Sequence, residues 1–322
     1  MIDATRVRDI GRPRVAVIVP TLNAAGLWDR WVKGMRMQTF APEVVLVIDS
    51  SSTDGTVDRV LAEGYRVHTI DRTNFNHGGT RQLAIDLLGD IDIAVFLTQD
   101  AILVHNDSIR NIVSSFAKPN VGAAYGRQLP RQAAGPLEAH ARVFNYPEVS
   151  RLQTEADIRK LGLKAAFISN SFAAYRVRAL NEVGGFPGNV IVSEDMHVAA
   201  RMISSGWAVH YNAHAVVEHS HGYTPIQELQ RYFDVGVFHA KDAWVFEKFG
   251  APNGEGLRFV LSEWKYLGLG RLYLLPASLL RIALKLLGYR MGLVESMLPL
   301  SFKRRISMQK AYWRNCIKNK DL

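Results

Sequence analysis

"VVLVIDSSSTDGTVDRVLAEG", Val44 to Gly64, sets the reading of the whole chain. Val44–Asp49 is a β-branched apolar run without polar alternation, the mark of a strand buried on both faces. The polar turn that follows offers Thr53 or Asp54 as a helix cap, and Gly64 stops the helix. The same grammar repeats on both sides. "VAVIVP" (Val15–Pro20) is a strand, and Gly26 to Met37 is an amphipathic helix. "RVHTI" is a third strand, a helix follows from Thr80 with Leu83, Leu87 and Leu88 on its apolar steps, and "IAVFLT" (Ile93–Thr98) is a fourth strand. This βαβαβ series implies an α/β fold, a mainly parallel sheet flanked by helices.

Such sheets bind ligands beyond the carboxyl ends of their strands. The residues of interest are therefore Pro20, Thr21 and Asn23 after the first strand, and Asp49, Ser51 and Asp54 after the second. Asn76, His77, Gly78 and Arg81 follow the third, and Gln99 and Asp100 the fourth. Asp49 can accept hydrogen bonds from a base or a ribose. In "NFNHGGTR" the glycines leave backbone open at a helix start, where free N–H groups attract anions, and Arg81 would add a forked cation for phosphate. Neither a Gly-x-Gly-x-x-Gly after the first strand nor a P-loop is present, which argues against dinucleotide dehydrogenases and P-loop NTPases.

Further along, "NVIVSEDMHVAARMISSGW" places Glu194-Asp195 where an apolar strand turns into a helix, with Ser193 as its cap. Acidic residues suit a first helical turn in any case, but a carboxylate there is also placed to act as a general base. "AVVEHSHGYT" presents His219-x-His221, and one of these histidines could join Asp100 around a divalent cation.

Charge is unevenly placed. Residues 258–322 hold 13 Lys+Arg against 3 Asp+Glu, while residues 1–257 come to about −1. A near-neutral sheet domain argues against nucleic acid as a partner. The tail instead mixes Leu and Ile with Arg271, Arg281, Lys285 and Arg290, in apolar pieces too short to span a bilayer, and suits helices lying on an anionic membrane surface. The expected division is residues 1–225 as the catalytic domain and 226–322 as a helical, basic amphipathic extension, with a cut near Arg258 leaving the nucleotide site intact. No signal peptide is visible at the N-terminus, and Cys316 is the single cysteine. The location expected is cytoplasmic, peripheral to the inner face of the cell membrane.

Taken in order, strand-"VPTLN", "VIDSSSTDGT", "FLTQDA", "GGF" (Gly184–Phe186), "SED" and a downstream His resemble the inverting family 2 of nucleotide-sugar glycosyltransferases, of GT-A fold, across about residues 12–225. "NFNHGGTR", "TQDA", "NSFAAYR", "HSHGYT" and "RYFDVGVFHA" are similar to the subgroup that transfers L-rhamnose from dTDP-L-rhamnose in bacterial polysaccharide assembly. The resemblance implies that Asp49 and Thr21–Asn23 hold base and ribose, and that the Asn76–Arg81 segment lies along the sugar diphosphate. It further implies that Asp100 binds Mg²⁺ or Mn²⁺, that Asp195 is the catalytic base, and that the acceptor is a lipid-linked saccharide. Thr98 stands where the family's metal motif has its first Asp, which shifts weight to His219 or His221. The rival readings are a non-catalytic sugar-nucleotide or polysaccharide-binding subunit of the same fold, and a transferase using another nucleotide sugar.

Overall fold

The computed structural model describes residues 12–250 and 254–318. Its strands are β1 (Val15–Thr21), β2 (Val44–Asp49), β3 (Arg66–Thr69), β4 (Ile93–Leu97), β5 (Ile102–Leu103), β6 (Val121–Leu129), β7 (Arg151–Gln153), β8 (Phe172–Arg176) and β9 (Ala208–Glu218). They form one sheet in the order β3-β2-β1-β4-β8-β6-β9-β5, with β7 paired to β9. The run β3-β2-β1-β4 is parallel, as the alternating strand and helix signals require. Beyond it the sheet is mixed, because β8 enters antiparallel between β4 and β6. Register brings Thr21 opposite Asp49 and Asp49 opposite Thr69, so three strand ends share one edge.

Helices α1 (Ala25–Arg36), α2 (Thr56–Ala62), α3 (His77–Leu88), α4 (Ser108–Ser114), α5 (Pro136–Asn145), α6 (Ile158–Leu161), α7 (Val177–Glu182) and α8 (Glu194–Ser204) accompany the sheet. Apolar side chains pack on both of its faces: Val17, Val47, Trp28 and Trp31 on one, Ile18, Ile48, Phe96 and Tyr175 on the other. Local chemistry moves some expected boundaries. Helix α3 begins at His77 rather than Thr80, because the Asn76 carboxamide oxygen accepts the Gly79 N–H at 2.8 Å. The expected strand before Glu194 is a loop, whose Val190 and Ile191 are apolar because they fill the core without joining the sheet. Ser193 precedes α8 in a left-handed conformation, and its side chain makes no capping bond.

Past Thr224 the chain is helical: α9 (Pro225–Lys241), α10 (Ala243–Phe249), α11 (Glu255–Leu267), α12 (Leu275–Leu293), α13 (Leu300–Ile306) and α14 (Lys310–Lys318). A capping box starts α9, with Thr224 Oγ1 accepting the Gln227 N–H and the Gln227 side chain accepting the Thr224 N–H. Phe233, Val237 and Phe238 of α9, with Trp313 of α14, belong to the same core as the sheet. Helix α12 crosses α9 on a seam of Gly236, Gly288 and Gly292, where any added Cβ would strike backbone of the facing helix. Its Arg281 and Lys285 reach Glu228 of α9 at 3.0 and 3.4 Å.

Two expectations for the tail change here. Leu269–Leu293 forms one helical stretch, kinked at Arg271, that is long and apolar enough to cross a bilayer by length and composition, although no sequence fragment between charges is. The charges that interrupt the sequence are partly withdrawn to Glu228, which is why the stretch stays apolar on its outer side. A cut near Arg258 would also pull Trp313 from the core and Ser307 and Met308 from Asp234, so the tail is no detachable appendage.

Candidate functional site

The edge expected to receive a nucleotide is built from turns that bind one another. Thr21 Oγ1 donates to Asp49 Oδ1 at 2.9 Å, and Ser52 donates to the same carboxylate through its N–H (2.8 Å) and its hydroxyl (2.6 Å). Asp49 is fully buried with its oxygens thus engaged, fixing the carboxylate rather than leaving it to solvent. Asn23 accepts from the Thr53 N–H, and Asp54 accepts from the N–H groups of Ala25 and Thr56. Gln99 clamps the Leu22 backbone in both directions, at 2.8 and 3.1 Å. Pro20, opposite Ile48, completes this edge. Beside it lies a concavity of about 360 Å³ lined by residues that include Asp71, Asn74 and Gly79. The non-glycine residues with positive φ among the described ones are Asn23, Ser51 and Ser193, all flanking expected site residues. Left-handed backbone at non-glycine positions is costly and concentrates at functional sites.

The Asn76–Arg81 segment differs from its expected use. A Cβ on Gly78 would collide with the Pro187 carbonyl, so this glycine serves close packing of α3 against a core loop. Arg81 is buried, donates to the His77 carbonyl at 2.7 Å and pairs with Glu194 at 3.0 Å. It turns toward Glu194, not toward an open phosphate site. Burial alone would raise the Glu194 carboxyl, but Arg81, His77 and the Asn170 amide outweigh it and hold it below the ordinary range. His77 is pushed down by burial.

Asp195 is the counterpart of that satisfied pair. Its Oδ2 accepts the Asn170 N–H at 3.0 Å and its Oδ1 the Met196 N–H at 2.8 Å. Burial, then the adjacent Glu194 charge, raises it to about 6. A carboxylate with pKa near 6 is still ionised at neutral pH and is a stronger base than an ordinary Asp.

Asp100, His219 and His221 converge as expected, with candidate ligand atoms within 4.8 Å of one another. Asp100 Oδ2 lies 3.3 Å from His219 Nε2 and 3.7 Å from His221 Nδ1. Arg131 Nη2 lies 3.6 Å from the same Asp100 oxygen and offsets part of the cost of burying that charge. His221 is pushed down to about 3, by burial first and His219 second. Gln128 Oε1 accepts from Arg142 at 2.7 Å and lies 2.8 Å from His219 Nδ1. Arginine can only donate, so that atom is the carboxamide oxygen and His219 Nδ1 carries the proton. His219 Nε2 then keeps its lone pair. It is buried, faces Asp100 and has no hydrogen-bond partner. An oriented, orphaned imidazole nitrogen beside an ionised carboxylate fits a divalent cation. His219 is thereby distinguished from the more exposed His221.

The two clusters are tied together. Gln128 donates to Ser169 Oγ at 3.0 Å, and the next residue, Asn170, holds Asp195. Sequence reasoning assigned no role to Asn170, Gln128 or Arg231. Asn170 and Arg231 stood only as parts of "NSFAAYR" and "RYFDVGVFHA", and Gln128 gave no signal in the sequence. Its guanidinium lies over the Tyr223 ring at 5.8 Å, Tyr223 stacks on His221, and its charge depresses both His221 and His77.

This geometry gives the comparisons with known proteins their context. The chain matches the family described as Glycosyltransferase like family 2 over residues 13–233. It belongs to that family. It is 48% identical over 303 residues to the O-antigen chain rhamnosyltransferase RfbN of Salmonella typhimurium, covering 94% of this chain and 96% of the relative. The O-antigen chain rhamnosyltransferase WbaN of Salmonella anatum is 46% identical over 306 residues, with the same coverage. Among solved structures, a mannosyltransferase from Pyrobaculum calidifontis in complex with GDP-Man and Mn²⁺ has a TM-score of 0.62 at 21% identity, covering 89% of this chain and 88% of that one. That likeness establishes the GT-A fold of this family 2 glycosyltransferase.

Proposed function

We propose that this glycosyltransferase moves L-rhamnose from dTDP-β-L-rhamnose to a lipid-linked saccharide at the cytoplasmic face of the membrane, with inversion. The observation that carries the reading is the Ser169-Asn170 link, which joins a base near neutrality to a cluster with an unsatisfied imidazole nitrogen. In the single displacement, the acceptor oxygen attacks the anomeric carbon as the bond to the dTDP oxygen breaks, giving an α-L-rhamnoside. Asp195 takes the acceptor proton, and Glu194, held by Arg81, keeps that proton affinity high. Asp100, His219 and His221 would hold Mg²⁺ or Mn²⁺, which when bound neutralises charge on a departing diphosphate. Arg231 reaches the same mouth from α9 and takes over the phosphate role that Arg81 cannot fill. Asp49 and the Thr21–Asn23 edge receive the base and ribose. Names of relatives at 46–48% identity support rhamnose as the sugar.

The outer face of α11 and α12, with Leu261, Trp264, Leu279 and Leu286 exposed, supports docking on the membrane. Because α12 is bound along one side to α9, it would rest on the surface rather than be enclosed by lipid. Incubation with labelled dTDP-rhamnose, Mn²⁺ and a membrane extract should release dTDP and label lipid. Release with a different nucleotide sugar alone would reassign the donor, and binding without release would make the chain a non-catalytic subunit.

A further inference from the structure

Helices α13 and α14 enclose a concavity of about 400 Å³ lined by Ser301, Arg304, Arg305, Lys310 and Arg314. Its lining contains no acidic residue, and among the described residues none of these four cations forms an ion pair, whereas neighbouring Lys303 is held by Glu295 at 2.5 Å. Four unneutralised cations around one hollow repel one another, an arrangement that an anion relieves. The same segment also exposes the side chains of Phe302 and Met308. The segment is also held in place. The Asp234 carboxylate accepts from Ser307 Oγ at 2.6 Å and from the Met308 N–H at 2.9 Å. The Gln309 side chain, immediately before Lys310, bears on the protonation of His77 beside the catalytic cluster.

We propose that this concavity binds the phosphate-bearing head of the lipid-linked acceptor, an inference that rests on the transferase reading above. A phosphodiester headgroup carries one negative charge, whereas a diphosphate that joins a lipid to a saccharide carries two and forms several charge-assisted bonds at once. The cations match the multiply charged head, the exposed Phe302 and Met308 of the same segment offer apolar surface for the chain attached to it, and Gln309 next to Lys310 bears on His77.

The test is titration calorimetry of the full-length protein with farnesyl diphosphate, in chelator so that the Asp100 cluster cannot hold the probe through a metal. The wild type should bind farnesyl diphosphate and not farnesol. Arg304→Gln with Arg305→Gln should weaken binding about tenfold or more, since each basic group near an anionic headgroup contributes a factor of about five. Arg304→Lys with Arg305→Lys should retain most of it, which separates lost charge from damaged folding. Equal affinity in wild type and the Gln pair would overturn the proposal. So would loss of binding to phosphatidylglycerol vesicles with unchanged farnesyl diphosphate affinity, which would make the hollow a patch for bulk lipid. A separate dTDP titration with Mn²⁺ reports on the donor reading, and its failure would leave the farnesyl diphosphate comparison standing.

Discussion

The Glu194-Asp195 cluster and the Asp100–His219–His221 cluster contain similar ingredients, yet one is electrostatically closed and the other open. In the first, Arg81 neutralises Glu194 at 3.0 Å, and Asp195 receives two backbone N–H groups. In the second, Arg131 donates to the Asp100 backbone carbonyl at 2.8 Å and stands 3.6 Å from its carboxylate, and His219 Nε2 has no hydrogen-bond partner. The closed cluster has its charges in place before any ligand arrives, so it is suited to moving a proton. The open one offers donor atoms that could hold a cation. A single chain can thus separate the durable from the exchangeable part of its chemistry.

The contrast can be broken at several points. Asp195→Asn should lower turnover by about 10²–10⁴ while leaving nucleotide affinity unchanged, because the amide preserves shape but cannot accept the proton. More than about a tenth of wild-type turnover would move the base elsewhere. Arg81→Met should act on the fold first, since removing one partner of a buried ion pair costs about 3–5 kcal/mol. Its melting temperature measures this, and an unchanged melt would mean that the pair is not the brace of the closed cluster.

At the open cluster, His219→Ala should weaken Mn²⁺ binding more than His221→Ala, read by electron paramagnetic resonance. Gln128→Met, which removes the acceptor that sets the His219 tautomer, should weaken it about 10–100-fold. Unchanged Mn²⁺ affinity in Gln128→Met would remove that tautomer control. The smallest effect is the wild-type pH profile. Asp195 must be ionised to act, and its folded pKa is raised, so kcat/KM should fall as pH drops through about 6 and level off above it. An acid limb near pH 4 would show that burial and Glu194 do not raise Asp195 in solution.

The sequence disclosed what depends on local pattern. Strands β1, β2 and β4 were visible because burial on both faces writes uninterrupted apolar runs, and those runs delivered Asp49 and Asp100 to one edge. Asp195 was visible from its place at a helix start. The role of Arg81 was not, because its partner Glu194 lies more than a hundred residues away and a guanidinium near glycines reads equally well as a phosphate ligand. Val190–Val192 misled because loop residues that plug a core are as apolar as a strand. The length of the Leu269–Leu293 stretch was hidden by Arg281 and Lys285, whose charges are answered by Glu228 on another helix. Gln128 and Asn170 act only through neighbours brought by the fold.

The glycine seam between α9 and α12 has a mechanical consequence. Side chains in a helix contact behave as springs, and at Gly236, Gly288 and Gly292 none stands between the helices, so backbone bears directly on backbone there. Helix α9 starts two residues after Tyr223, which stacks on His221. The loop that carries His219 and His221 is therefore set at a fixed distance from α12, and the fold acts as a ruler between the two.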